Sequence, residues 1–227
     1  MNPGADINIG IGMTSERTRR RLVAEIQSLG IEDDRVLAAI LQTPRHLFVD
    51  EALSSRAYEN TALPIGHGQT ISQPYTVALM TSLLFANKER KRVLEIGTGC
   101  GYQTAILSHF AEKVISVECI QKLQRQARDR LYDMKIRNVK CLHGDGFAGL
   151  AEFAPYDGML AAAVSTNIPD ELLEQLTEGG RLVMPLATGA SKSATQQLLV
   201  VDKTSTGYKK QLNELVSFVP RRFGVVK

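Results

Sequence analysis

The 227-residue sequence has no tryptophan, only three cysteines and no apolar run near the roughly 18 residues of a membrane span. Cys100, Cys119 and Cys141 lack CxxC spacing, and their odd number argues against both a disulfide framework and a zinc site. His46, His67, His109 and His143 are scattered and form no HExxH pair, so no metal is expected. An excess of one charge is also missing: 27 Lys and Arg face 24 Asp and Glu, a net +3. That balance does not describe a chain built to coat nucleic acid. Residues 1–13 lack a basic stretch followed by an apolar one and read as a loose arm rather than a signal peptide. A cytoplasmic monomer with no membrane or nucleic-acid partner is the expectation. With 44% hydrophobic and 22% charged residues, the chain can bury a core without staples.

Helical spacing over Thr14–Leu29, with Leu22, Val23, Ile26 and Leu29 on one side, predicts a first helix. Asp33 or Asp34 caps a second, which must end near Pro44. Residues 62–72 read as a loop because Pro64, Gly66 and Gly68 crowd it, and Pro74 then opens a helix. After the charged stretch Lys88–Arg92, short apolar runs alternate with helical patterns: strands at Val93–Ile96, Val114–Glu118, Val139–His143 and Tyr156–Val164, and helices at Ile120–Met134 and Pro169–Leu176. Gly179-Gly180 reads as a turn before a strand at Arg181–Pro185, and Gln196–Asp202 and Gln211–Phe218 are β-rich. The alternation predicts an α/β fold: a doubly wound, mostly parallel sheet with helices on both faces, an N-terminal helical cover and an antiparallel C-terminal edge. Residues 1–227 are expected to form a single domain, divided into an arm (1–13), a cover (14–60), a core (61–190) and a β-rich segment (191–227).

Three strand ends carry the chemistry. Glu95-Ile-Gly97-Thr98-Gly99-Cys100-Gly101 joins a strand to a helix, where glycines allow a tight turn and close approach of a ligand. Glu118 ends the next strand, about 17 residues after Gly101, near the spacing that places an acid on a ribose. Asp145-Gly146 follows the third strand, and in a doubly wound sheet all three loops leave the same carboxyl edge. The spacing is GxGxG rather than the GxGxxG of dinucleotide sites. An acid beside the loop suits the cationic end of S-adenosylmethionine better than a pyrophosphate. The segment resembles the first motif of class I methyltransferases. Cys100 and Cys119 read as packing residues.

The most unusual stretch is Pro64-Ile-Gly66-His67-Gly68-Gln69-Thr70-Ile71-Ser72-Gln73-Pro74. As plain structure it is a loop entering a helix; as a site it is a backbone cradle, with the free N–H groups of a helix start suited to a carboxylate. This stretch resembles the signature of the protein-L-isoaspartate O-methyltransferases. The likeness extends over Thr43-Pro-Arg-His-Leu-Phe48, the glycine loop, Ile168-Pro, Gln175-Leu, Gly179–Pro185 and Phe218-Val-Pro220. It implies methylation of the free carboxylate of L-isoaspartyl and D-aspartyl residues in damaged proteins, with S-adenosylmethionine as donor and S-adenosylhomocysteine as product. It further implies Ser72 as the active-site residue and Gly66, His67, Gly68, Gln69 and Thr70 at the substrate. Cofactor contacts are implied at Ile71, Ser72, Glu95, Gly97, Thr98, Gly99, Glu118, Asp145 and Gly146. The chain departs from the family at Tyr156–Val164, which lacks a threonine before the alanines, and at Arg221-Arg222, which follow the final proline.

A carboxylate with a pKa near 3.3–3.9 is ionised at neutral pH and needs no general base. Ser72 is therefore read as an orienting donor rather than a nucleophile, since no His–Asp arrangement in the sequence activates it. Alternatives are a class I methyltransferase acting on a small molecule or RNA, a nicotinamide dehydrogenase, and a non-catalytic adaptor that binds adenosylmethionine.

Overall fold

The computed structural model describes residues 12–86, 88–188, 195–220 and 224–226. The expected arm up to residue 11, and Arg221 and Arg222, lie outside the described residues. Two compact units are present, one ending at Leu79 and one beginning at Met80.

In the first unit, α1 (Glu16–Ser28) packs on α2 (Asp34–Gln42). Asp33 caps α2 by accepting the Arg35 main-chain N–H at 3.0 Å. Of the apolar stripes predicted from spacing, Leu22 and Ile26 on α1 and Val36, Ala39 and Ile40 on α2 are buried, whereas Val23 is half-buried and Leu29, past the end of α1, is exposed. Two short 3-10 helices, Arg45–Phe48 and Glu51–Arg56, lead to a hairpin of β1 (Leu63–Gly66) and β2 (Gln69–Ile71). The segment read as a loop is thus an antiparallel ribbon, with Leu63 opposite Ile71. Its strands of four and three residues are too short to show a period. α3 (Pro74–Phe85) follows and carries the chain from the first unit into the second.

The second unit is built on β3 (Arg92–Ile96), β4 (Lys113–Glu118), β5 (Val139–His143), β6 (Tyr156–Ala161), β7 (Leu176–Thr188), β8 (Thr195–Thr204) and β9 (Gly207–Leu215). α4 (Tyr102–Leu107), α5 (Gln121–Asp133) and α6 (Asp170–Glu174) connect them. The sheet order is β5-β4-β3-β6-β7-β8-β9. Pairing is parallel from β5 to β7 and antiparallel from β7 to β9. The order reverses between β3 and β6, the switch point beside which ligands bind in such sheets. Central parallel strands are covered on both faces and are mostly apolar: Val93, Leu94, Val114, Ile115 and Val117 are each at most 1% exposed. Leu94, Ile115, Met159, Leu172, Leu182 and Val201 share one core cluster. Among the described residues no helix is long and apolar enough to cross a membrane.

Two expectations differ. Gly179-Gly180 does not turn the chain but lies inside β7: Tyr156 pairs with Leu176 and Gly158 with Arg181, so the surplus residues bulge, with Gly179 at φ +74°. Because Leu176 joins the sheet, the helix expected to reach it shrinks to the five residues of α6. The charged stretch at 88–92 also hides a core residue. Arg90 is 2% exposed and donates to the carbonyls of Leu84, Asp157 and Gly179. Burial, with Arg181 nearby, lowers its pKa to about 10.

Candidate active site

The glycine loop follows β3 in a conformation that glycine makes accessible. Gly97, Gly99 and Gly101 have φ of +97°, +53° and +92°, in the region side chains disfavour. The Gly97 N–H donates to the Val117 carbonyl at 2.8 Å, and that of Gly101 to the Thr98 carbonyl at 2.8 Å, so the loop folds back over the end of β4. A Cβ on Gly101 would stand 3.3 Å from Cβ of Ala127, which explains the close approach of α5. The Thr98 side chain turns inward, 4% exposed, and its hydroxyl meets that of Ser116 at 2.6 Å.

Glu118, at the end of β4, is 5% exposed. Its Oε2 accepts the Gly99 N–H at 2.8 Å and its Oε1 the Ile120 N–H at 3.0 Å. The structure therefore brings the first two motifs together. Glu118 is level with His143 across the sheet, so the loop after β5 starts beside it. Asp145 is exposed and accepts from the Phe147 N–H at 3.1 Å and the Gly224 N–H at 3.0 Å. Gly146 is buried, and a Cβ there would collide with the Val117 side chain.

Glu95 lies under this edge, fully buried on β3. Its Oε2 accepts hydroxyl protons from Thr104 at 2.5 Å and Ser116 at 2.6 Å. Burial, reinforced by the charge of Glu118 and opposed by these two bonds, raises its pKa to about 7.

The residues of the other motif, Gly66, His67, Gly68, Gln69, Thr70, Ile71 and Ser72, belong to the first unit. Gly66, His67 and Gly68 form the exposed hairpin turn, with φ of +87°, +54° and +68°. His67 holds a left-handed conformation that is uncommon for a side-chain-bearing residue. Gln69 is half-buried and Thr70 exposed, Ile71 is core at 3% exposure, and Ser72 is half-buried between β2 and α3. The start of α3 differs from expectation. One of its free donors is already used: the Tyr75 N–H goes to Oδ1 of Asn60 at 3.0 Å, while the Val77 N–H makes the first bond of the helix itself, to the Gln73 carbonyl at 3.0 Å.

Sequence reasoning missed the braces. Arg45, fully buried, donates to the carbonyls of Ala57 at 2.9 Å and Thr61 at 3.2 Å, fixing the approach to β1. Gln175 accepts the Leu150 N–H at 2.8 Å and donates to the Ala148 carbonyl at 2.7 Å, clamping the loop after Gly146. Both lie in segments that carry the family likeness, the one signal that pointed to them. His143 Nε2 lies 3.2 Å from the Cys119 carbonyl and 3.3 Å from that of Val226. Burial raises the pKa of Cys119 to about 11 and of Cys141 to about 12, so neither is a thiolate nucleophile at neutral pH.

The donor set fits an adenosine-bearing cofactor. A carboxylate at the end of β4 can accept from ribose hydroxyls, Asp145 follows on the next strand, and glycines leave room at the edge. Residues 17–223 match the family model described as protein-L-isoaspartate(D-aspartate) O-methyltransferase. A protein-L-isoaspartate O-methyltransferase of Halorhodospira halophila is 54% identical over 217 residues, covering 96% of this chain and 97% of the relative. A solved protein-L-isoaspartate O-methyltransferase superposes with a TM-score of 0.80 at 29% identity, covering 90% of this chain and 66% of that one. A Plasmodium falciparum structure named for the same activity, in complex with S-adenosyl-L-homocysteine, gives a TM-score of 0.74 at 25% identity, covering 89% and 97%. With sheet order, glycine loop and strand-end acids in agreement, the chain belongs to the protein-L-isoaspartate(D-aspartate) O-methyltransferase family.

Proposed function

We propose that the protein is a repair methyltransferase that esterifies the free carboxylate of L-isoaspartyl, and of D-aspartyl, residues in damaged proteins and peptides. The match over residues 17–223 carries this reading, because it takes in both the glycine-loop edge and the 66–72 segment. S-adenosylmethionine supplies an electrophilic methyl on a cationic sulfur. The chain's own residues bind and orient. Glu118 holds the ribose, Asp145 and Gly146 add contacts to the cofactor from the next strand end, and Gly97, Thr98 and Gly99 offer main-chain groups. Thr98 serves through its backbone, since its side chain is buried. Ile71 and Ser72 complete the cofactor contacts.

Gly66, His67, Gly68, Gln69 and Thr70 take the substrate. The exposed hairpin turn and half-open ribbon support a backbone-led grip, which suits a target defined by damage rather than by sequence. Ser72 donates to the substrate carboxylate and fixes its approach; positioning of this kind contributes several kcal/mol. The reading treats residues 1–227 as one catalytic domain acting as a monomer in the cytoplasm, with no metal and no nucleic-acid partner. The free thiols Cys100, Cys119 and Cys141 suit a reducing compartment.

Methyl transfer to a synthetic isoaspartyl peptide, measured beside its aspartyl twin, tests the reading. Transfer to the first alone is expected. Transfer to neither peptide, despite cofactor binding, would favour the adaptor.

A further inference from the structure

The sequence reading casts Glu95 as a partner of the cofactor's cation, yet its side chain is 0% exposed and sits at the centre of the sheet. β3 is flanked by β4 and β6, and Glu95 stands opposite Ser116 on one side and Leu160 on the other. One oxygen, Oε2, takes both hydroxyls, from Ser116 and Thr104. Ser116 has a single proton and gives it to Glu95. The 2.6 Å contact between the Thr98 and Ser116 hydroxyls must then be donated by Thr98. For the ionised carboxylate the direction of the whole chain is fixed: Thr98 to Ser116 to Glu95, with Thr104 entering from α4. None of the four side chains is more than 5% exposed.

Oε1 of Glu95 is buried without a hydrogen-bond partner. A carboxyl group in an apolar sheet with half its acceptors unmet is costly, and an apolar side chain of similar size would be cheaper. Fold stability does not account for it. What the group joins does: β3, β4 and the first turn of α4 meet at its Oε2, and the middle of the glycine loop is tied in one bond further out, through the Ser116 hydroxyl.

We infer that Glu95 is a positioning residue, which holds the glycine loop in its cofactor-receiving shape through Ser116 and Thr98 and holds the start of α4 through Thr104, without itself touching the cofactor. The inference deepens the cofactor site of the proposed function and rests on that reading for its ligand. Pinned from below by the Thr98 side chain, the loop keeps the positive φ of Gly97 and Gly99, and Gly99 keeps its N–H on Glu118. The acid therefore acts on the ribose-binding carboxylate through the loop.

The test uses the full chain and S-adenosylhomocysteine as probe. Ser116→Ala removes the central relay at a residue that is 0% exposed and lies beneath the loop. Its affinity is expected to fall about tenfold, the loss of one buried hydrogen bond. Thr98→Val keeps shape and loses the hydroxyl; Thr98→Ser keeps the hydroxyl and loses a methyl. Thr98→Val should weaken binding and Thr98→Ser should rescue it, whereas a packing role would give the reverse order. Glu95→Gln, which retains an acceptor for both hydroxyls, should recover most of the affinity lost in Glu95→Ala.

Without ligand, amide exchange at residues 97–101 should quicken in Ser116→Ala and Thr98→Val. That arm decides the inference even if the wild-type chain fails to bind the probe, an outcome that would sink the proposed function instead. Unchanged loop exchange in Thr98→Val overturns the inference. So does a Glu95→Gln variant that binds no better than Glu95→Ala, which would mark a direct charge contact.

Discussion

The Gly99 main-chain N–H donates to Oε2 of Glu118 at 2.8 Å, so the carboxylate proposed to hold a ribose also holds the loop beside it. On that proposal one side chain serves both the nucleoside and the loop. Glu118→Ala should weaken adenosylmethionine binding by about 1.5–3 kcal/mol, the scale of a hydrogen bond to a charged group. Glu118→Gln, keeping one acceptor oxygen, should lose less. Calorimetry showing equal affinity in Glu118→Ala and wild type would remove Glu118 from the site.

Two neighbouring glycines should behave differently. A Cβ on Gly144 would meet Val117 Cγ2 at 3.6 Å, ordinary contact, whereas one on Gly146 would collide with Val117. Gly144→Ala should therefore be nearly silent. Gly146→Ala should cost about 1–3 kcal/mol of stability by overpacking and displace Asp145. Denaturant melts of the pair check this, and equal stabilities would contradict it.

Ser72→Ala should retain activity, with kcat/KM reduced roughly 10- to 1000-fold for a bond worth about 1.5–4 kcal/mol in the transition state. The Tyr75 N–H is already taken by Asn60, so fewer helix donors share the carboxylate, and the loss should fall toward the upper end. A methylated Ser72 in the mass spectrum of enzyme incubated with cofactor alone would overturn the orienting role.

Glu95 has its pKa raised from 4.5 to about 7, chiefly by burial. The folded state therefore holds a proton that the unfolded chain releases between those values, and stability falls as pH rises through that window. The loss is on the order of 3 kcal/mol. Glu95→Gln should gain on the wild type by that amount between pH 4.5 and 7, read from urea melts at several pH values. A constant difference across the window would mean the group titrates normally.

Arg181 and Asp202 face each other across β7 and β8 in a paired contact, 2.7 and 2.8 Å. The Arg181 guanidinium lowers the Asp202 pKa below 3.8. Its stabilisation is present above 3.8 and is lost as pH falls through the lowered folded value. Asp202→Asn should cost about 1 kcal/mol at pH 7, allowing for solvent screening, and the difference should close in acid. A gap that persists at low pH would assign the effect to packing.

The parts of the fold that were legible share a cause. Val93–Ile96 and Val114–Glu118 are covered on both faces, so their sequences are mostly apolar, interrupted only by Glu95 and Ser116 before the acid Glu118, and the glycines and acids at their ends mark the strand ends directly. The hairpin at 63–71 was not legible, because three- and four-residue strands set in Pro64, Gly66 and Gly68 carry every sign of a loop. Gly179-Gly180 misled for a related reason: glycine marks a bulge as readily as a turn, and only the pairing of Arg181 with Gly158 separates them. Arg90 looked like surface because its acceptors, near Leu84, Asp157 and Gly179, come from three separate places in the chain. Glu95 was found as a site residue through its motif. Its hydroxyl partners were invisible, since Ser116 lies one strand away and Thr104 on the following helix.

β9 stands at one end of the sheet order and is exposed along nearly its whole length. Among the described residues no strand pairs with its outer side, and such an edge invites backbone from any extended chain to add itself as a further strand. The proposed substrates are such chains: damaged, loosened segments of other proteins. Lys209 and Lys210 sit on this edge strand, and an incoming segment would have to lay its amides beside two ammonium groups. The same enzyme that must take extended polypeptide at one place is thereby guarded against collecting it at another, and would be expected to stay dispersed among the aggregating clients it serves.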